Sequence, residues 1–195
     1  MGRHLSDKPF VLREILDIAL QIADALQAIH EAGIIHGDIK SGNILIRDDG
    51  SVKILDFGLA KFIEMGNDGD ALSGCPPLRN PLLIPLGLVR GTVSYMSPEQ
   101  ARGNATDEQT DLWSFGVVLY EMITGRHPFV GKTSRATTAL ISKGKPAPFE
   151  VNIPAELSRI LRNSLQKDRA KRYLSASDLL LDLKALKHRL ELPKN

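Results

Sequence analysis

The 195 residues, 43% of them hydrophobic, suffice for one compact domain or most of one and exclude a disordered tail or a peptide hormone. With 25 Lys+Arg against 23 Asp+Glu the formal net charge is only +2, so the chain lacks the general basic field that holds nucleic acid or an anionic membrane. A lone cysteine, Cys75, forms no internal disulfide, and the fold must rest on its core, as in a reducing compartment.

The opening MGRHLSDKPF lacks the apolar core of a signal peptide. The longest apolar stretch, Leu82 to Val89, is short and broken by Pro85, so no segment spans a bilayer and a cytoplasmic protein is the expectation. From Leu12 to Ala32, Ile15, Ile18, Ala19, Ile22, Leu26 and Ile29 recur at helical spacing, and Gly33 follows as a stop. Two β-like runs come next, Ile44 to Ile46 and Val52 to Leu55, separated by Asp48-Asp49-Gly50, which favours a tight hairpin turn. Residues 64–91, rich in Gly and Pro, show neither period and read as a long surface loop. Helical patterning resumes at Asp111 to Thr124, ending at Gly125, and again at Ala136 to Ser142, Ala155 to Gln166 and Ser175 to Leu190. Ser175 and Asp178 have the spacing of a capping box. The pattern predicts a mainly α fold with a small β-hairpin beside the first helix.

Asp38 and Asn43 lie in one polar loop, and Asp56 opens the turn after the second strand. Three oxygen-bearing side chains thus converge at one end of the hairpin, with Lys40 beside them. Phosphoryl transfer needs such a set: a carboxylate to orient the attacking hydroxyl, hard oxygen ligands for magnesium, and positive charge over the moving group. Taken singly, an Asp or Asn beside a strand is usually a turn-former.

The series HGDIKSGN, DFG, GTVSYMSPE and DLWSFG, followed by Arg172, resembles in order and spacing the C-terminal lobe of a eukaryotic-type protein kinase. The resemblance runs from about residue 5 to residue 190, and YMSPEQARG is similar to the bacterial serine/threonine branch. It implies a protein-kinase-like C-lobe over residues 1–195, without the N-terminal β-lobe, with an activation segment of about 56–99. It makes Asp38 the catalytic base, Lys40 the phosphate-side lysine, Asn43 and Asp56 the magnesium ligands, and Thr92 a wall of the acceptor pocket. As supports it implies His36 under Phe57, Asp111 bracing the catalytic loop through backbone hydrogen bonds, and a buried Glu99–Arg172 ion pair. The implied cofactors are ATP and Mg2+, with Mn2+ as a substitute. The implied partner is a protein bearing a Ser or Thr hydroxyl, with no nucleic acid and no membrane segment.

Three departures qualify the resemblance. No two glycines are separated by a single residue, so a G-x-G-x-x-G phosphate loop is absent from these residues. Only Lys8 precedes Asp38, outside any V-A-I-K-like strand, so the nucleotide lysine is absent too. Losing two or three charge-assisted phosphate contacts weakens nucleotide binding by about 10³-fold or more, and little or no transfer is expected from these residues alone. An N-lobe supplied by another polypeptide is one way to restore it. Gly37 stands where most of these kinases carry arginine, and Leu86 to Arg90 hold no Ser or Thr, so loop phosphorylation is not expected to switch the protein.

Two rivals follow from the same residues. HGD followed by Asn is also similar to the aminoglycoside and choline phosphotransferases, against which stand Lys40, the DFG and the later segments. A non-catalytic kinase-like interaction module or remnant is the other. The remaining histidines, His4, His30, His127 and His188, are scattered and make no metal site, and Trp113 and Phe115 read as core. The six basic residues from Arg159 to Arg172 read as a solvated helix face that includes the structural Arg172, with an acidic partner as the alternative.

Overall fold

In the computed structural model, which describes residues 3–5, 10–57, 61–62, 92–148 and 151–192, the first long element is helix α1 (Leu12–Glu31). Glu14 reaches back to accept from the Val11 amide at 3.1 Å, and Gly33 leaves the helix at φ 72°. Its buried stripe runs from Ile15 through Ile22 and Leu26 to His30; His30, not Ile29, is the buried residue of the last turn.

Strands β3 (Ile44–Ile46) and β4 (Val52–Ile54) form the expected antiparallel hairpin, with Ile44 opposite Ile54 and Ile46 opposite Val52. Gly50 turns the chain at φ 81°, and Gln21 of α1 clips the hairpin, donating to the Gly50 carbonyl at 3.0 Å and accepting from the Val52 amide at 2.9 Å. Two pairings were invisible to the sequence pattern. Strand β1 (Arg3–His4) adds to the outer side of β3, and β2 (Ile34–Ile35) pairs antiparallel with β5 (Lys61–Phe62). Strands of two residues are too short to display a period.

The rest is helical: α2 (Pro98–Ala101), α3 (Glu108–Thr124), α4 (Ser134–Lys143), α5 (Ala155–Ser164) and α6 (Ala176–Glu191). Helix α3 begins three residues earlier than its apolar pattern, because the Asp107 carboxylate caps the Gln109 amide at 3.0 Å. It is buried on nearly every side, as befits a helix at the centre of the molecule, with α1 and α5 against it and α6 closing over α1 and α5. Gly116 lets α5 approach: a Cβ there would stand 2.7 Å from that of Ser164. Trp113 stacks on Phe129, with ring centroids 5.5 Å apart, inside one continuous hydrophobic core.

The basic run from Arg159 to Arg172 is a solvated face only in part. Lys167 lies over the Phe129 ring at 3.7 Å and donates to the carbonyls of Leu140 and Ile141 at the end of α4. Arg169 pairs with Asp107, and Arg159 pairs with Asp182 at 2.9 Å. Arg159, Arg162 and Lys171 keep the exposure the pattern implied, and Arg172 is buried as the structural reading expected. The Gly/Pro-rich residues 64–91, with Cys75 and Leu86 to Arg90, lie outside the described residues.

Candidate active site

The segment 36–40 leaves β2 with no regular backbone pairing of its own before the 3-10 turn Ser41–Asn43, so its amides need partners from elsewhere. Asp111, fully buried in α3, supplies them: Oδ2 accepts from the His36 amide at 2.9 Å and Oδ1 from the Gly37 amide at 2.8 Å. The same Oδ2 accepts from His30 Nε2 at 2.9 Å, so one carboxylate joins α1, α3 and the loop. His36, also fully buried, accepts the Asp38 amide on Nδ1 at 3.3 Å. Its proton therefore sits on Nε2, which donates to the Leu55 carbonyl at 3.3 Å. The Phe57 ring packs on His36 at a centroid distance of 4.7 Å.

Asp38, Lys40 and Asn43 meet on this scaffold. Lys40 Nζ donates to Asp38 Oδ2 at 2.6 Å, and Asn43 Nδ2 donates to the same oxygen at 3.1 Å and to the Asp38 carbonyl at 3.0 Å. Asn43 thereby spends its amide nitrogen on Asp38 and keeps Oδ1 as an acceptor. The Leu55 amide bonds the Asn43 carbonyl at 2.8 Å, which brings the Asp56 turn alongside; Asp56 itself holds φ 63°. A non-glycine residue in the left-handed region is a local strain that neighbouring structure must sustain. An Asn oxygen beside a carboxylate fits magnesium, which binds through one or two protein oxygens and leaves its other positions to water and phosphate. Among the described residues no three His, Cys, Asp or Glu side chains cluster as a metal cage.

Two cross-links hold the loop from the other side. Gln100 Nε2 donates to the Gly37 carbonyl at 2.9 Å while its Oε1 accepts from the Ser97 amide at 2.8 Å. Tyr95 donates to Glu121 Oε2 at 2.7 Å, which leaves Ser41 Oγ as the donor in its 2.6 Å bond to the Tyr95 hydroxyl. Burial and the Glu121 carboxylate push the Tyr95 hydroxyl well above the usual range, so it stays protonated. The Thr92 side chain lies outside the described residues.

Beneath these, Glu99 and Arg172 form a bidentate pair, Nη1 to Oε1 at 2.7 Å and Nη2 to Oε2 at 2.8 Å, and Thr110 adds a bond to Oε1 at 3.0 Å. Burial pushes the Glu99 carboxyl up, but the Arg172 guanidinium more than offsets this and holds it below the usual range. His30, Ser41, Tyr95, Gln100 and Glu121 were not singled out from the sequence as site residues. Each bonds a residue far along the chain, and although Ser41, Tyr95 and Gln100 lie within the motif segments, no local pattern marks them as the residues that brace the loop.

A protein kinase domain model matches residues 2–182. The chain is 36% identical over 175 residues to a probable serine/threonine-protein kinase of Clostridium perfringens, covering 88% of this chain and 23% of that protein. It is 36% identical over 183 residues to a probable serine/threonine-protein kinase of Streptomyces coelicolor (92% and 25%). To the serine/threonine-protein kinase PknA of Mycobacterium tuberculosis it is 37% identical over 164 residues (84% and 35%). The chain thus spans about a quarter to a third of the length of these relatives.

Proposed function

Because the chain belongs to the eukaryotic-type serine/threonine protein kinase family, we propose that it carries the catalytic-loop half of an enzyme that transfers the γ-phosphoryl group of ATP to a protein Ser or Thr hydroxyl. In this reading residues 1–195 are part of a kinase domain, with about 56–99 as its activation segment. The observation that carries it is the Asp38–Lys40–Asn43 cluster suspended from Asp111.

Asp38 Oδ2 is held by Lys40 and Asn43, and Oδ1 is left to accept the proton of the incoming hydroxyl. Since the transition state of phosphoryl transfer is loose, orienting that hydroxyl counts for more than removing its proton, and a doubly anchored carboxylate serves this. Lys40, beside the reacting oxygen, supplies positive charge as negative charge spreads over the moving group. Asn43 and Asp56 are the proposed ligands of Mg2+, which when bound neutralises phosphate charge. Thr92 is proposed to line the acceptor pocket. The glycine-rich loop and nucleotide lysine are not within these residues, so the lobe that covers ATP must come from outside them, on the same or another polypeptide.

Transfer of labelled phosphate from ATP·Mg2+ to a Ser/Thr-containing acceptor protein tests this, with and without an added kinase N-lobe and beside a panel of amino sugars and amino alcohols. The expected result is protein labelling that depends on the lobe and falls by about 10³-fold or more in Asp38→Asn. Labelling of the small molecules alone would make the chain a small-molecule phosphotransferase. No labelling under any condition would favour the non-catalytic module, the reading that the absent glycine-rich loop supports.

A further inference from the structure

Between Glu121 and Glu150 the sequence has no acidic residue, where the chain's 23 Asp+Glu would place about three in a stretch of that length. The same stretch carries Arg126, Lys132, Arg135, Lys143 and Lys145, all exposed. None of the five is paired with a described carboxylate.

The fold gathers these charges. Helix α4 buries Thr137 and Ile141, and with 3.6 residues per turn Arg135, Ala139 and Lys143 stand on the opposite, outward ridge. Lys132 precedes the N-cap Thr133, and no acidic residue occupies the first turn. Bases at a helix N-terminus oppose the macrodipole and cost helix stability, so folding does not account for them. The negative end of α4 is already neutralised: Arg102 donates to the Ser142 carbonyl at 2.6 Å, and Lys167 donates to those of Leu140 and Ile141. The Ala147 amide bonds the Pro128 carbonyl at 2.8 Å, which draws the Arg126 and Lys145 segments together. The result is a positive ridge on a chain whose net charge is only +2.

We propose that this α4 face is a docking surface for an acidic segment of a polypeptide partner. Arg135 and Lys143 stand about 12 Å apart along the axis with the small Ala139 between them. Alternate side chains of an extended peptide repeat at about 6.8 Å, so Asp or Glu at every second position meets both charges. The ridge itself offers no aromatic ring on which a base would stack. Helix α4 itself packs on α2 and on the Thr92–Tyr95 turn, whose Tyr95 bonds Ser41 next to Lys40. The ridge faces away from those contacts, so a polypeptide lying on it is one helix removed from the elements that hold the loop proposed for transfer.

The test is fluorescence anisotropy of a labelled (Glu-Ala)6 peptide against the whole chain without nucleotide, so its outcome is independent of whether phosphoryl transfer occurs. Salt-sensitive binding is expected, weakened about tenfold or more when Lys132, Arg135, Lys143 and Lys145 are all changed to Gln. A control changing Lys53, Arg162, Lys171 and Lys184 to Gln removes the same charge elsewhere and should cost about twofold or less. All eight positions are exposed, and circular dichroism verifies that both variants fold. Equal losses in the two variants, unchanged binding in the α4 variant, or tighter binding of oligo-dT of matched charge at the same salt would overturn the proposal.

Discussion

Glu99 is only 2% exposed and is charged because Arg172 meets it with two hydrogen bonds. Glu99→Gln leaves a buried guanidinium without its counter-ion, and the expected loss is about 3–5 kcal/mol of unfolding free energy. The sign with pH follows from the depressed carboxyl: its contribution is complete above the unfolded value of 4.5 and fades as pH falls through the lower folded value. Urea melts at descending pH should show wild-type stability converging on that of Glu99→Gln below about pH 4. A constant difference between the two down to strong acid would mean that another group carries the titration. Asp111 is a different kind of buried carboxylate, with three donors, one from α1 and two adjacent amides of the loop.

At the scale of elements, the contact between α3 and α5 turns on Gly116. Propensity alone says that alanine there gains about 1 kcal/mol. The 2.7 Å approach to Ser164 Cβ says otherwise, since neither helix can move without disturbing the core. Gly116→Ala is expected to lose roughly 1–3 kcal/mol, and adding Ser164→Gly should recover part of it. A melting temperature raised by Gly116→Ala alone would refute the packing argument. The elements legible in the sequence were the five longer helices, α1, α3, α4, α5 and α6, and the β3–β4 hairpin with its turn residues. What stayed hidden was short or set by a partner. Strands β1, β2 and β5 have two residues each and exist through their pairing, and α2 is a single capped turn. The basic run misled for a related reason, because Lys167 and Arg169 look solvated in sequence and find acceptors only once α4 and Asp107 come near.

For the molecule as a whole, the residues proposed to act, Asp38, Lys40, Asn43 and Asp56, could be picked out because each carries its own chemistry within a few positions. Of the groups that hold them, Asp111 was read through the resemblance, and four others were not singled out. His30, Tyr95, Gln100 and Glu121 act across 26 to 81 residues, and such separations leave no mark on a local pattern. Charge shows the same contrast, since a balance of +2 hides an acid-free stretch of surface.

The triple bonding of Asp111 has a consequence for the timing of the molecule's opening. The His36 and Gly37 amides are tied to a carboxylate at the centre of the core, so their protons should trade with deuterated solvent only when α3 itself is released. Their protection should match that of the slowest amides in α3, while Gly50 and Ser51 at the exposed hairpin tip exchange by local fraying. If His36 and Gly37 instead exchange much faster than α3, the segment has a private melting mode. With the protection expected, warming produces no folded population in which the His36–Gly37 segment has come loose, and segment and core are lost at one temperature.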